Sequence, residues 1–129
     1  MKFHHIGFAC HNLDIETQNL ALLGYSPEGE DFNDPLQGVR GRFLTAPGSP
    51  RLELLVQHGE TQVLEPWLAR GIKMYHLAYS VSNLKTEIEK FRQKRGKIMV
   101  PPTPAVAFGG REISFILLPT MMLIELIEL

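Results

Sequence analysis

Two histidines and two glutamates recur in the same order in the two halves of the sequence. His5 precedes Glu53 by 48 positions, and His76 precedes Glu125 by 49. Imidazole nitrogens and carboxylate oxygens are ligands of divalent metal ions, and two carboxylates also balance the charge of such an ion. A single histidine in a strand is more often a packed or surface residue than a ligand. The repetition is therefore what favours a metal site.

The residues around these four positions recur as well. Residues 5–10 resemble residues 76–81, and Asn-Leu follows each segment. Residues 43–55 resemble residues 115–127, again with Phe, Pro, Glu and Leu at matching places. A repeat of this length indicates two copies of one structural module.

Each copy predicts the order strand, helix, three strands. Asn12 and Asn83 are predicted N-caps, and apolar residues at helical spacing follow each of them until Gly24 and Gly96 end the two helices. A further short helix is predicted near Trp67.

Two other segments have mixed signals. Residues 25–34 are acidic and Pro35 follows them directly, which predicts a short strand followed by a loop. The strand predicted at residues 97–100 is expected to end at the proline-rich segment 101–104.

We therefore expect an α+β fold in which two βαβββ modules form a cupped mixed β-sheet with helices on its outer face. Module 1 covers about residues 1–58, a connector about 59–72 and module 2 about 73–129, and together they form a single domain, residues 1–129.

Alternation along the strands predicts which side chains share a face. The outer face needs apolar residues to contact the helices, and residues such as Ile6 and Leu54 supply them. The four chemically active side chains then share the opposite, inner face: His5, Glu53, His76 and Glu125. Buried together, the two carboxylates need a compensating cation, which strengthens the metal hypothesis.

Composition excludes several other classes of function. The formal net charge is −1, and no basic cluster exceeds Lys94-Arg95, so a nucleic-acid partner is not expected. The longest apolar run, residues 115–124, is interrupted by Pro-Thr and too short to span a bilayer, so no membrane partner is expected. Cys10 is the single cysteine and is expected to be a packed residue. These features predict a cytoplasmic location.

The chain resembles the vicinal oxygen chelate superfamily, which includes glyoxalase I, methylmalonyl-CoA epimerase, extradiol dioxygenases and the fosfomycin and bleomycin resistance proteins. The resemblance rests on residues 4–9, 51–55, 74–78 and 123–126 and extends over essentially the whole chain. It implies that one divalent metal ion (nickel, cobalt, zinc, manganese or iron) is bound by His5, Glu53, His76 and Glu125.

The presence of Glu53 points to one branch of this superfamily. In the relatives that the chain resembles, the metal site of resistance enzymes and extradiol dioxygenases has two histidines and one glutamate. The metal site of glyoxalases and methylmalonyl-CoA epimerases has a fourth protein ligand. The resemblance therefore implies an isomerase or lyase that removes a proton α to a carbonyl group. A small-molecule binding or resistance protein of the same fold and an iron-dependent dioxygenase are the alternatives.

The resemblance also implies roles for individual residues. The metal ion would act as a Lewis acid, and Glu125 or Glu53 would shuttle the proton. The substrate would be a small carbonyl compound, such as a thioester or a thiol adduct. Its anionic part would contact Arg51 or Arg111, although solvent-exposed charges are an equally good interpretation of these arginines. A homodimer is compatible with the family, while the connector is long enough for one chain to complete the site.

Overall fold

The computed structural model describes all 129 residues. The strands are β1 (Lys2–Ala9), β2 (Ser26–Asp34), β3 (Val39–Thr45), β4 (Leu52–Gln57), β5 (Met74–Val81), β6 (Lys97–Pro104), β7 (Glu112–Leu117) and β8 (Leu123–Glu128). The α-helices are α1 (Leu13–Ala21), α2 (Glu65–Leu68) and α3 (Leu84–Gln93). A 3-10 helix covers Val106–Phe108.

The strands form one eight-stranded sheet in the order β2-β3-β4-β1-β5-β8-β7-β6. It is mixed, because β1 pairs with β4 and β5 with β8 in parallel, while the outer pairs are antiparallel. Each module follows the predicted order of strand, helix and three strands. The predicted α+β class and the mixed sheet built from two βαβββ modules are confirmed.

The chain divides into two compact units, residues 5–75 and residues 1–4 with 76–129. In the first unit, the side chain of Asn12 accepts a hydrogen bond from the backbone of Ile15, as predicted for an N-cap. The helix α1 then packs Leu13 against Phe8 and Leu54 on one face of the strands. This packing leaves the odd-numbered side chains of β1 for the opposite face.

That opposite face is partly covered by the connector. Leu64 and Trp67, at and within α2, pack with Ala9, Val39 and Leu55. These three strand residues have the parity of His5, Phe43 and Glu53, so α2 lies on the face that carries the first histidine and glutamate. The helix α1 thus lies on the face that strand alternation predicts for it, and α2 covers part of the opposite face.

The second unit repeats the arrangement of the first. Asn83 caps α3 by accepting a hydrogen bond from the backbone of Thr86. Leu84 and Ile88 of this helix pack with Ile124 and Leu126 of β8. The face that α3 does not contact carries the other parity of β5 and β8, which includes His76 and Glu125.

The structure corrects two boundaries predicted from the sequence. The short strand and loop predicted at residues 25–34 form one nine-residue strand, Ser26–Asp34, with a register shift between Glu28 and Phe32. The strand predicted at residues 97–100 continues to Pro104. Both are terminal strands of the sheet, where an unpaired edge tolerates bulges and prolines that an internal strand excludes.

None of the helices has the length and hydropathy that crossing a bilayer requires.

Candidate metal centre

The first histidine and glutamate meet across the parallel pair of β1 and β4. Gly7 lies opposite Glu53 in register, so His5, two residues before Gly7, projects on the same side as the glutamate. His5 Nε2 lies 2.8 Å from Glu53 Oε2. The His5 side chain is fully buried, and that of Glu53 is 6% exposed. The pair predicted from strand alternation is therefore formed.

The second histidine and glutamate meet in the same way across β5 and β8. Ala78 lies opposite Glu125, which places His76 on the side of the glutamate. His76 Nε2 lies 3.3 Å from Glu125 Oε2, and both side chains are buried. The repeat in the sequence is thus a repeat of one side-chain arrangement.

All four predicted residues belong to one candidate metal-binding group. One ligand atom from each of them lies within 4.8 Å of the ligand atoms of the others: His5, Glu53, His76 and Glu125. All four side chains are buried, where two carboxylates are costly without compensating positive charge. Two imidazoles and two carboxylates are a suitable donor set for a divalent transition metal ion. The residues fit the metal ion that the sequence implies.

An aromatic ring supports each histidine. Phe43 lies opposite Glu53 in register, and its ring contacts His5 edge to face at a centroid distance of 5.6 Å. Phe115 lies opposite Glu125, and its ring contacts His76 in the same way at 5.1 Å. Both phenylalanines belong to the sequence repeat, but the repeat alone predicts no role for them. Their matched positions in the repeat were a signal in the sequence, but the contact with each histidine follows only from the strand register.

The two arginines suggested as substrate contacts have different surroundings. Arg51 Nε lies 3.2 Å from Glu28 Oε1, and about a third of its side chain is exposed. Arg111 is exposed, and its Nε–H donates a hydrogen bond to the carbonyl oxygen of Phe108 at 3.1 Å. Arg51 precedes Glu53 by two positions, so the two side chains are expected on the same side of the chain. Of the two arginines, Arg51 is therefore the one nearer to the first histidine–glutamate pair in the sequence.

Arg42 of β3 has two acidic partners. Arg42 donates hydrogen bonds to both carboxylate oxygens of Asp31, at 2.6 and 2.8 Å, and lies 3.0 Å from Asp14 of α1. The pKa of Asp31 is lowered because its carboxylate accepts these bonds from Arg42. Arg42 therefore joins β3 to β2 and α1.

Cys10 is packed, as predicted. Its side chain is buried in the cluster beneath α1, and its Sγ lies 3.5 Å from the carbonyl oxygen of Leu55. Burial raises the pKa of the thiol to about 11, with a further contribution from the negative charge of Glu16. A thiol with this pKa is not a nucleophile near neutral pH.

Two carboxylates of β2, those of Glu28 and Asp34, have partners of their own. Asp34 is buried, and its two carboxylate oxygens accept hydrogen bonds from the backbone and side-chain nitrogens of Gln37 at 3.2 and 2.8 Å. Glu28 is paired with Arg51. Asp34 and Glu28 thus each have a hydrogen-bonding or ionic partner within the fold.

The fold and the cluster define a two-module α+β protein with a candidate metal centre. The family model described as "Glyoxalase/Bleomycin resistance protein/Dioxygenase superfamily" matches residues 4–115. The chain belongs to this superfamily. No match was found among curated proteins.

Solved structures support the same fold. A methylmalonyl-CoA epimerase from Mycobacterium tuberculosis is 25% identical with a TM-score of 0.80, over 98% of this chain and 87% of that one. A hypothetical protein from Bacillus halodurans has the same identity and TM-score, over 99% and 94% of the two chains. A Streptomyces coelicolor methylmalonyl-CoA epimerase variant in complex with 2-nitronate-propionyl-CoA is 21% identical with a TM-score of 0.75, over 99% and 96%.

Proposed function

We propose that this protein is a metal-dependent isomerase or lyase that removes a proton from the carbon next to a carbonyl group. The observation that carries the proposal is the pair of buried histidine–glutamate contacts at equivalent positions of the two modules, 2.8 Å for the first and 3.3 Å for the second. The similarity to methylmalonyl-CoA epimerases supports the same class of reaction.

In this proposal the four clustered side chains bind the metal ion: His5, Glu53, His76 and Glu125. Nickel, cobalt, zinc, manganese and iron all accept such nitrogen and oxygen donors. The ion, when bound, supplies Lewis-acid stabilisation of the negative charge that develops on the carbonyl oxygen. Two carboxylates carry two negative charges, so a divalent ion leaves the buried ligand set neutral when both histidines are neutral.

Glu53 and Glu125 are the proposed catalytic residues. A carboxylate oxygen of one of them takes up the proton that leaves the substrate carbon, and a protonated carboxylate returns a proton to the product. Both glutamates are almost fully buried, 4% and 3% exposed, so the exchanging proton is partly shielded from bulk water. Phe43 and Phe115 restrict the orientation of the two imidazole rings.

The proposed substrate is a small carbonyl compound carried on a thioester or a thiol adduct. One solved relative is a complex with methylmalonyl-CoA, so a coenzyme A thioester is the first class to test. Arg51 and Arg111 are proposed to contact an anionic part of the substrate. For Arg51 this requires that the substrate share the guanidinium with Glu28.

Solvent deuterium exchange tests the proposal directly. Metal-loaded protein in D₂O is expected to introduce deuterium at the α carbon of methylmalonyl-CoA or to convert the methylglyoxal–glutathione adduct, detected by NMR or mass spectrometry. The same protein after metal removal is the control. Metal-loaded protein that neither exchanges nor converts either compound would contradict the proposal. Oxygen uptake with a catechol would favour a dioxygenase instead.

A further inference from the structure

The sheet face that carries the His5–Glu53 pair also carries an aromatic surface. Phe43 of β3 lies opposite Glu53 of β4, and Phe32 of β2 lies opposite Gly41 of β3. Residues opposite each other in neighbouring strands project on the same side of a sheet, as do residues two apart in one strand. Phe32, Phe43 and Glu53 therefore share one face.

The ring of Phe32 occupies the place that a side chain at position 41 would take. A Cβ added to Gly41 would lie 2.2 Å from Phe32 Cζ and less than 3 Å from both Cε atoms. Gly41 does not have the positive φ found at most other glycines of the chain, so its backbone conformation does not require glycine. The close approach of the Phe32 ring accounts for glycine at this position.

The two rings extend from Gly41 to the first histidine. The centroids of Phe32 and Phe43 are 5.8 Å apart, and that of Phe43 is 5.6 Å from His5. Both phenylalanines are partly buried, so each retains accessible ring surface. Phe32 also packs against the cluster beneath α2, which limits its freedom to move away from the sheet.

Ionisable side chains are absent from β3 on this face. The alternating residues on that side of the strand are Val39, Gly41, Phe43 and Thr45. On β2, Asp34 is bonded to Gln37, and Glu28 is paired with Arg51. Glu28 lies opposite Phe43, so the Glu28–Arg51 pair borders the two rings on this face. The surface of the rings themselves is apolar, and it favours an apolar group of a ligand over a charged one.

We propose that Phe32 and Phe43 contact the alkyl or aryl substituent on the carbon that loses its proton, and that Phe32 limits the size of this substituent. The inference rests on the proposed function, because it takes the reacting carbon to lie beside Glu53. Phe32 and Gly41 are then specificity-determining residues, and the substrates are α-substituted carbonyl compounds with a compact apolar group.

Two substitutions should shift substrate size preference in opposite directions. Phe32→Ala removes the ring, so larger substituents gain room. Gly41→Ala displaces the ring from its place over β3 and presses it against the cluster beneath α2, so larger substituents lose room. One methylene in an apolar pocket changes kcat/KM by roughly 10-fold to 200-fold, which sets the expected scale. The changes should appear mainly in KM, since neither residue takes part in proton transfer.

The test compares kcat/KM within two substrate pairs: methylmalonyl-CoA with ethylmalonyl-CoA, and the glutathione adducts of methylglyoxal and phenylglyoxal. The ratio of the larger to the smaller substrate should rise about tenfold or more in Phe32→Ala and fall in Gly41→Ala, while each variant keeps its bound metal ion. Phe91→Ala removes a partly buried ring that packs with the cluster beneath α3 and should leave both ratios unchanged.

The outcomes separate this inference from the proposed function. The wild-type protein could process one substrate pair while Phe32→Ala and Gly41→Ala leave the kcat/KM ratio of that pair unaltered. This result would overturn the inference alone and would show that Phe32 is only a packing residue. Wild-type protein that is metal-loaded and processes none of the four compounds would overturn the proposed function, and the inference with it.

Discussion

At the scale of residues, the repeated unit is a histidine, a phenylalanine and a glutamate. The sequence allowed the histidine and the glutamate to be predicted, because their chemistry and spacing recur. It did not assign a role to Phe43 or Phe115, because a phenylalanine in a strand is ordinary core composition and its contact with an imidazole depends on strand register. The edge-to-face contacts at 5.6 and 5.1 Å became visible only with the register.

Conservative substitution of the glutamates should separate ligation from proton transfer. Glu53→Gln and Glu125→Gln each retain an amide oxygen that can coordinate a metal ion but remove the basic carboxylate. We expect at least one of the two variants to keep its metal ion and lose about 10²-fold to 10⁴-fold in the rate of α-proton exchange. Elemental analysis measures the metal content of each variant, and deuterium exchange measures its rate of α-proton exchange.

Glu60→Gln, at an exposed position of the connector, is a control that should change neither property. Full exchange rates in both Glu53→Gln and Glu125→Gln would show that neither glutamate is the base.

At the scale of elements, the internal strands and the two capped helices were predictable, and the edge strands were not. The caps Asn12 and Asn83 and the apolar periodicity are local signals, and both helices begin where they indicate. By contrast, β2 contains Pro27 and Gly29 and β6 contains several prolines, which are unfavourable in strands. Pairing with β3 and β7 overrides these local preferences, and this information lies outside either segment.

The contact between Asp31 and Arg42 is expected to stabilise β2 in a pH-dependent way. The pKa of Asp31 is lower in the folded protein than in the unfolded chain, so the folded protein binds fewer protons at this carboxylate. The stabilisation is therefore complete above the unfolded pKa and is lost as the pH falls through the folded value. Asp31→Asn should lower the midpoint of urea unfolding at pH 7, and the difference from wild type should shrink progressively below about pH 4.

Glu30→Gln is the matched control, because Glu30 lies on the same strand and is exposed. A difference between wild type and Asp31→Asn that stayed constant from pH 7 to pH 3 would contradict the electrostatic explanation.

At the scale of the whole molecule, the duplicated sequence explains both the fold and the candidate metal centre. Each module contributes one histidine from its first strand and one glutamate from its last. One such pair in a sequence is weak evidence for a metal site, and its repetition in the second module makes the evidence stronger. The substrate could not be predicted in the same way, because the contact that is proposed to limit its size is not duplicated. Phe32 on Gly41 has no counterpart in the second module, where Thr103 lies opposite Ile113 at the corresponding place.

We propose that the two histidine–glutamate pairs bind one metal ion together. The most direct measurement is the number of tightly bound ions per chain after loading with a divalent metal and removal of the excess, in wild type, His5→Ala and His76→Ala. We predict one ion per chain in the wild type and none in either variant, while His58→Ala, at an exposed position, retains one. Two ions in the wild type and one in each single variant would mean that the pairs bind separately, and no ion in the wild type would contradict the metal centre itself.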